Sequence, residues 1–210
     1  MSAKTGQLIY HLTAIDNFES IVKNGLLPRS KIKPNIDVAD NEILNGRNKY
    51  NLLDYVPFHF FINTPFDGAI KKKYKTTDFI YICIKRTIAR NHNFKIIPCH
   101  PLSNKLANYD NILFNYDDGF DLIEWDIIDS DNRDYNNQDI KNACMAECLF
   151  YGKIPIIEIT SITVKNNESF NKIGGILLKY GFIKKDNQYS FHTKNLKKYS
   201  FFVDISPSWF

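Results

Sequence analysis

Three polar side chains in this 210-residue sequence have a setting in which they could do chemistry: Glu147, His11 and Arg47. Glu147 is the lone carboxylate of Ala143-Cys144-Met145-Ala146-Glu147-Cys148-Leu149-Phe150. Burying a carboxylate costs several kcal/mol unless it is paired, so this residue is either an exposed position on an amphipathic element or part of a site. His11, between Tyr10 and Leu12, reads as a satisfied core histidine or as a catalytic one. Arg47, in a polar stretch, reads by itself as a solvated charge. Cys99-His100 and the Cys144/Cys148 pair lack the matching second half of a structural zinc site, so no metal is expected. Four-residue spacing puts Cys144 and Cys148 on one helical face packed into the core. The sequence contains no P-loop, no G-x-G-x-x-G and no G-x-S-x-G, which removes the commonest nucleotide-fold and hydrolase chemistries.

Lysines form two further groups. Lys71-Lys72-Lys73-Tyr74-Lys75 is one, and a tail mixing Lys179, Lys184, Lys185, Lys194, Lys197 and Lys198 with Tyr180, Tyr189, Phe191 and Tyr199 is the other. Basic side chains between aromatic ones suit phosphate contacts with base stacking. A plain loop and a solvated helix face are the competing readings, since Asn, Ile and Lys are abundant throughout. The net charge of +4 hides a sharper pattern: +4 over residues 1–75, +4 over 76–109, −9 over 110–139 and +6 over 163–203. Such asymmetry hints at an anionic partner that touches part of the surface.

These residues need a frame to hold them. A chain that is 44% apolar and 14% aromatic excludes a disordered tail and a disulfide-stapled miniprotein. Four cysteines are too few for a disulfide framework, and reduced thiols are expected. With no run of 18 apolar residues and no signal-like N-terminus, a soluble cytoplasmic protein is expected, with no membrane partner. Residues 8–13 alternate as a first strand and lead into a short helix stopped by Gly25. Residues 28–37 read as a loop, 38–50 as a second helix, 56–62 as an aromatic strand, 79–84 as another, 87–91 as a helical turn and 94–97 as a strand. Residues 110–139 form an acidic insert whose Phe120, Leu122, Ile123, Trp125 and Ile127 predict local packing. A helix over 139–147, a strand pair over 154–164, a helix over 170–180 and a strand at 201–203 complete a single α+β domain over residues 1–210.

The order of these motifs resembles the DarT family of ADP-ribosyltransferase toxins. Tyr10-His11-Leu12-Thr13-Ala14-Ile15-Asp16-Asn17 is similar to the family's early NAD-holding motif, and Gly46-Arg47-Asn48 stands at the place of its catalytic arginine. Asp54-Tyr55-Val56-Pro57-Phe58-His59-Phe60 resembles its second strand and Ala146-Glu147 its catalytic Ala-Glu, so the likeness spans about residues 9–158. His59 stands where thymine-directed relatives carry Tyr, and Asn63-Thr64-Pro65 replaces their Arg-Ser-Pro. Phe66-Asp67-Gly68 is closer to the guanine-directed branch, which leans the target base to guanine.

The resemblance implies an ADP-ribosyltransferase-like fold, with split mixed and antiparallel sheets and peripheral helices. It implies NAD as ADP-ribose donor, Glu147 and Arg47 as catalytic residues, and His11, Thr13, Asn17, Tyr10 and His59 around NAD. Phe58 and Phe60 are expected in the core. The implied acceptor is a base of single-stranded DNA, since a stacked base cannot be attacked. Lys71, Lys72, Lys73, Lys194, Lys197 and Lys198 are the candidates to hold it. Toxicity held in check by a macrodomain-type antitoxin follows from the resemblance alone. RNA- or protein-directed transfer, and a noncatalytic nucleic-acid-binding module, are the alternatives.

Overall fold

The structure is a computed structural model and describes residues 2–33, 41–107, 109, 111–192 and 197–210. In chain order the elements are β1 (Leu8–Ala14), α1 (Phe18–Asn24), α2 (Asn41–Lys49), β2 (Tyr55–His59), α3 (Pro65–Lys73), β3 (Phe79–Lys85) and α4 (Arg86–Asn91). Then come β4 (Lys95–Ile97), α5 (Tyr116–Asp121), α6 (Trp125–Ile128), α7 (Gln138–Ala143) and β5 (Glu147–Tyr151). The last are β6 (Ser161–Val164), α8 (Asn167–Lys179), β7 (Ile183–Lys185), β8 (Gln188–His192) and β9 (Lys198–Ile205).

Among the described residues the strands form one nine-stranded sheet, ordered β4-β5-β2-β1-β3-β6-β9-β8-β7. Its pairs are antiparallel except β6 with β9. The expected split survives as a seam. Strand β1 pairs with β3 over seven residues but meets β2 at a single pair, Tyr10 opposite His59. Pro57 has no N–H to donate, and the His11 side chain takes its carbonyl instead, Nδ1 donating to Pro57 O at 2.8 Å. A side chain thus fills a ladder position, and the two strands part beside it.

Alternation along the strands sorts the core by face. Ile9, Phe58, Phe60, Ile82, Ile96, Cys148, Ile162 and Val203 belong to the main core, which α1, α5, α6 and α8 help cover. Phe58 and Phe60 are buried as expected. The opposite face carries two smaller clusters, one around Leu12, Tyr81 and Cys83, the other around Leu52, Ile97 and Leu149. The acidic insert packs locally, though Leu122 stays exposed: Phe120 and Trp125 lie against Phe60, with the buried Arg86 guanidinium over all three rings.

Several expected boundaries move. The helix over 139–147 stops at Ala143, and Glu147 opens strand β5, so Cys144 and Cys148 are both buried but on different elements. The expected strand pair over 154–164 is one bridge at Ile154, a 3-10 turn at Ile156–Glu158 and strand β6. Residues 34–37 of the expected loop and 38–40 of the second helix lie outside the described residues. Lysines 71–73 are not in a loop. They form the last turn of α3, which opens with Pro65 and a capping box in which Thr64 Oγ1 accepts from Asp67 N and Asp67 Oδ2 accepts from Thr64 N. Gly25 closes α1 at φ 82°, and a Cβ there would sit 2.7 Å from Ile154 O, so both conformation and space require glycine.

Candidate active site

Where β1 and β2 separate, a cleft of about 600 Å³ opens. That is the size of pockets that take drug-sized ligands. Tyr10, His11, Thr13, Asn17, Arg47, His59 and Glu147 all line it, so the structure gathers seven residues singled out from four stretches of sequence.

Glu147 is at the start of β5, opposite His59 on β2 and Ile97 on β4, and His59 is in turn opposite Tyr10 on β1. Residues facing each other across a ladder share a face, so Glu147, His59 and Tyr10 form one row. The carboxylate is only 5% exposed, which removes the surface reading. Arg47, in the last turn of α2, compensates it. Its Nη1 donates to Oε1 at 2.9 Å and to Oε2 at 2.8 Å, while Nη2 is buried with no partner. A buried guanidinium nitrogen without an acceptor is a donor in want of an anion or carbonyl, as a bound ligand supplies.

His11 and Thr13 approach the cleft from the other face of β1. Desolvation pushes the His11 pKa down to about 4, and the neighbouring His59 and Arg47 add to that against the opposing Pro57 and Asp67 contributions. The ring is therefore neutral at pH 7, with its proton on Nδ1 toward Pro57 O and Nε2 left as an acceptor for a hydroxyl. Thr13 Oγ1 accepts from Asn17 Nδ2 at 3.2 Å, which orients the hydroxyl hydrogen away from Asn17. His59 Nδ1 donates to Ala146 O at 3.0 Å, and its ring faces Phe66 at 6.3 Å between centroids. Tyr10 packs edge-on against Tyr81 and Trp209, at 6.4 and 5.7 Å, so its ring serves as cleft wall and core at once.

The lysines are not brought to the cleft. Lys71 Nζ donates to Asn63 Oδ1 at 2.8 Å, Tyr81 OH at 3.1 Å and Trp209 O at 2.6 Å, and lies over the rings of Tyr81 and Phe210. It ties α3 to Tyr81 and Trp209. Lys72 and Lys73 are exposed on α3, Lys197 and Lys198 are exposed at the start of β9, and Lys194 lies outside the described residues.

Sequence reasoning missed other cleft residues. His100 lines the wall near Glu147; its Nδ1 accepts from Leu102 N at 3.1 Å, and burial lowers its pKa, so Nε2 carries the proton. Arg29, Lys31 and Lys33 give the rim positive charge. Phe66 and Asp67, singled out in the sequence only for the target base, border it through α3, whose signal was present in Thr64-Pro65-Phe66-Asp67 as a capping box with proline in the first turn. Among the described residues no cluster of His, Cys, Asp or Glu has the makings of a metal site. No helix of the described residues is long and apolar enough to cross a membrane.

The family model for ssDNA thymidine ADP-ribosyltransferase, DarT, matches residues 10–195. Comparison with curated proteins finds no match. Among solved structures, Thermus sp. 2.9 DarT in complex with ADP-ribosylated ssDNA superposes with a TM-score of 0.75 at 20% identity, covering 97% of this chain and 96% of that one. The same Thermus protein in complex with NAD+ gives 0.73 at 18% identity, with 98% of each chain covered. Thermosipho africanus DarTG in complex with ADP-ribose gives 0.63 at 18% identity, covering 98% of this chain and 51% of that one. At these identities the structural likeness establishes the fold, and the family model, matching most of the length, establishes kinship: this chain belongs to the DarT family of ssDNA thymidine ADP-ribosyltransferases.

Proposed function

We propose that this protein transfers ADP-ribose from NAD to a base of single-stranded DNA. The observation that carries the proposal is the buried Glu147 carboxylate, compensated by Arg47 at the head of a cleft also lined by His11 and Thr13. The bond between nicotinamide and the ribose anomeric carbon breaks, and a ring nitrogen of the base forms the new bond to that carbon. The transition state is oxocarbenium-like, so a carboxylate beside the ribose stabilises the positive charge that develops. Glu147 fills that place. The same carboxylate accepts the proton the base nitrogen loses, and nicotinamide departs neutral. The unpaired Nη2 of Arg47 reaches the diphosphate or the base, His11 Nε2 accepts from a ribose hydroxyl, and Thr13 with Asn17 holds a polar edge of the dinucleotide. Tyr10 and His59 wall the nicotinamide end. The positive rim of Arg29, Lys31 and Lys33 suits the diphosphate.

The base is the finer question. The lean toward guanine rested on Phe66-Asp67-Gly68, but Asp67 Oδ2 already accepts from Thr64 N and Tyr81 OH, which ties that carboxylate to the fold. The family description points to thymidine, and thymine is the base we assign. We infer toxicity restrained by an antitoxin of macrodomain type from the family likeness alone. The test is incubation with NAD and, separately, single-stranded DNA, RNA or protein, followed by mass analysis of the product. Label on DNA at thymidine is expected. Label on RNA or protein alone, or nowhere, would overturn the proposal.

A further inference from the structure

The row that holds the site continues across the sheet. Tyr10 is opposite Cys83, Cys83 opposite Ser161, and Ser161 opposite Phe202. Phe202 is opposite Gln188, and Gln188 opposite Lys185 on the far edge strand. Each pair shares a face, so Phe202 and Lys185 lie on the same side of the sheet as Glu147. Five strand spacings separate Glu147 from Phe202, about 24 Å along the surface. The sheet twists by roughly 20° per strand, so this surface is a curved track rather than a plane.

The far half of that track is bare. The opposite face of β8 and β9 is covered, with Tyr189, Phe201 and Val203 buried beside Ile173 and Leu177 of α8. On the bare side Phe202 is 44% exposed, an aromatic ring presented to solvent on regular sheet. Around it the register places Lys185, Lys198 and His192, all exposed, while Lys85 extends the same face from β3. The acid that the register puts beside Phe202, Asp204, already accepts from Asn187 Nδ2 at 2.7 Å. Between this patch and the cleft stands Trp209, half-buried and edge-on to both Tyr10 and Tyr81. Exposed Ile183 is on this face too, beside Ser190 and Ser200. Aromatic rings spaced along a basic surface, with serine and glutamine among them, match what a single strand requires: cations for phosphates and a ring for a base to stack on.

We propose that the bare sheet face centred on Phe202 is the track for the single strand outside the reacting nucleotide, several nucleotides from the base held at Glu147. The inference rests on the DNA-transferase reading and adds a footprint to it. It makes substrate length the readout, since a short oligonucleotide fills the cleft without reaching Phe202, whereas a long one covers both.

The experiment measures transfer at saturating NAD to oligonucleotides of about 4 and about 16 nucleotides, the span of known single-strand site sizes. Wild type is expected to show the lower KM for the long substrate. Phe202→Ala raises KM for the long substrate about tenfold, at unchanged kcat, and leaves the short substrate alone. Phe202→Tyr keeps the ring and the wild-type KM. Lys185→Glu with Lys198→Glu raises the long-substrate KM further and flattens its dependence on salt. Equal effects on both lengths, or no effect of either variant on the long one, would overturn the track, even if this face captured a protein partner instead. Failure of wild type to modify either oligonucleotide would overturn the transferase reading itself.

Discussion

Arg47 holds Glu147 through one nitrogen, and that single-nitrogen grip sets what either substitution does. Glu147→Gln keeps the shape and one of the two acceptors for Arg47 Nη1 but removes the charge that answers the oxocarbenium, so transfer falls by about 10³-fold or more while the protein stays folded. Glu147→Ala additionally strands a buried guanidinium and costs about 3 kcal/mol of stability. Urea unfolding beside a product assay separates these outcomes, and a Glu147→Gln enzyme with wild-type turnover would relieve Glu147 of its role. His11 makes a second prediction. Its pKa falls from an ordinary 6.5 to about 4 on folding, so the unfolded chain takes up the proton first. The contribution of the neutral ring is complete above pH 6.5 and is lost as pH drops toward 4, by up to about 3 kcal/mol at about 1.4 kcal/mol per unit. His11→Asn should remove that part of the acid sensitivity, measured as the difference in unfolding free energy across the window. Residue types alone left His11 open between core and site, and Glu147 between an exposed surface position and a site. The ambiguity lifted only when motif order joined them, because the contacts that decide it, Pro57 O and Arg47 Nη1, come from chain positions 46 and 100 residues away.

Among the elements, legibility followed periodicity. Strand β1 and helix α8 were readable because one face of each is apolar at a regular spacing, and β3 because it is a continuous apolar run buried on both faces. Helix α3 was missed because its lysines dominate the eye and its start is written in a cap rather than a stripe. The helix expected over 139–147 overran into β5 because Ala-Cys-Met-Ala is rich in helix formers, and only pairing with β2 and β4 settles Glu147 in a strand. Close packing between elements was the least legible. Gly174, on α8, would place a Cβ 2.5 Å from the hydroxyl of Tyr189 on β8, whose ring is fully buried and whose hydroxyl has no partner. Gly174→Ala therefore destabilises by about 1–3 kcal/mol despite the better helix propensity of alanine. Tyr189→Phe removes an unsatisfied buried hydroxyl, stabilises by about 1 kcal/mol and relieves most of the Gly174→Ala cost in the double variant. Additive effects in thermal melts would refute the coupling.

For the whole molecule, the segment charges foretold an asymmetric surface without saying which side was which. The sheet decides it. Helices α5 and α6, which carry the acidic insert's exposed Asp118, Asp121 and Asp126, dock on the main-core face, with Phe120 and Trp125 against Phe60; the insert's start, Ile112 and Leu113, packs with Ile97 and Leu149 on the opposite face that Glu147, Tyr10 and Phe202 share. A layer about 10 Å thick separates two packed faces, comparable to the distance over which salt at 0.1–0.15 M screens exposed charge. Neutralising the insert at its exposed positions Asp118, Asp121 and Asp126 to Asn adds three positive units to the net charge. If net charge alone drew the strand, affinity would rise and the salt slope would steepen. Placement predicts otherwise: at about 0.15 M salt the affinity for single-stranded DNA stays within twofold of wild type, and the gain emerges only near 0.01 M, where screening reaches about 30 Å. Each lysine lost from the Phe202 face, by contrast, lowers the slope of log affinity against log salt by about 0.7, the increment for one phosphate released from a single strand. A titration of binding against salt for the two sets of variants separates position from total charge, and an insert variant that binds markedly tighter at about 0.15 M would put the acidic segment beside the DNA.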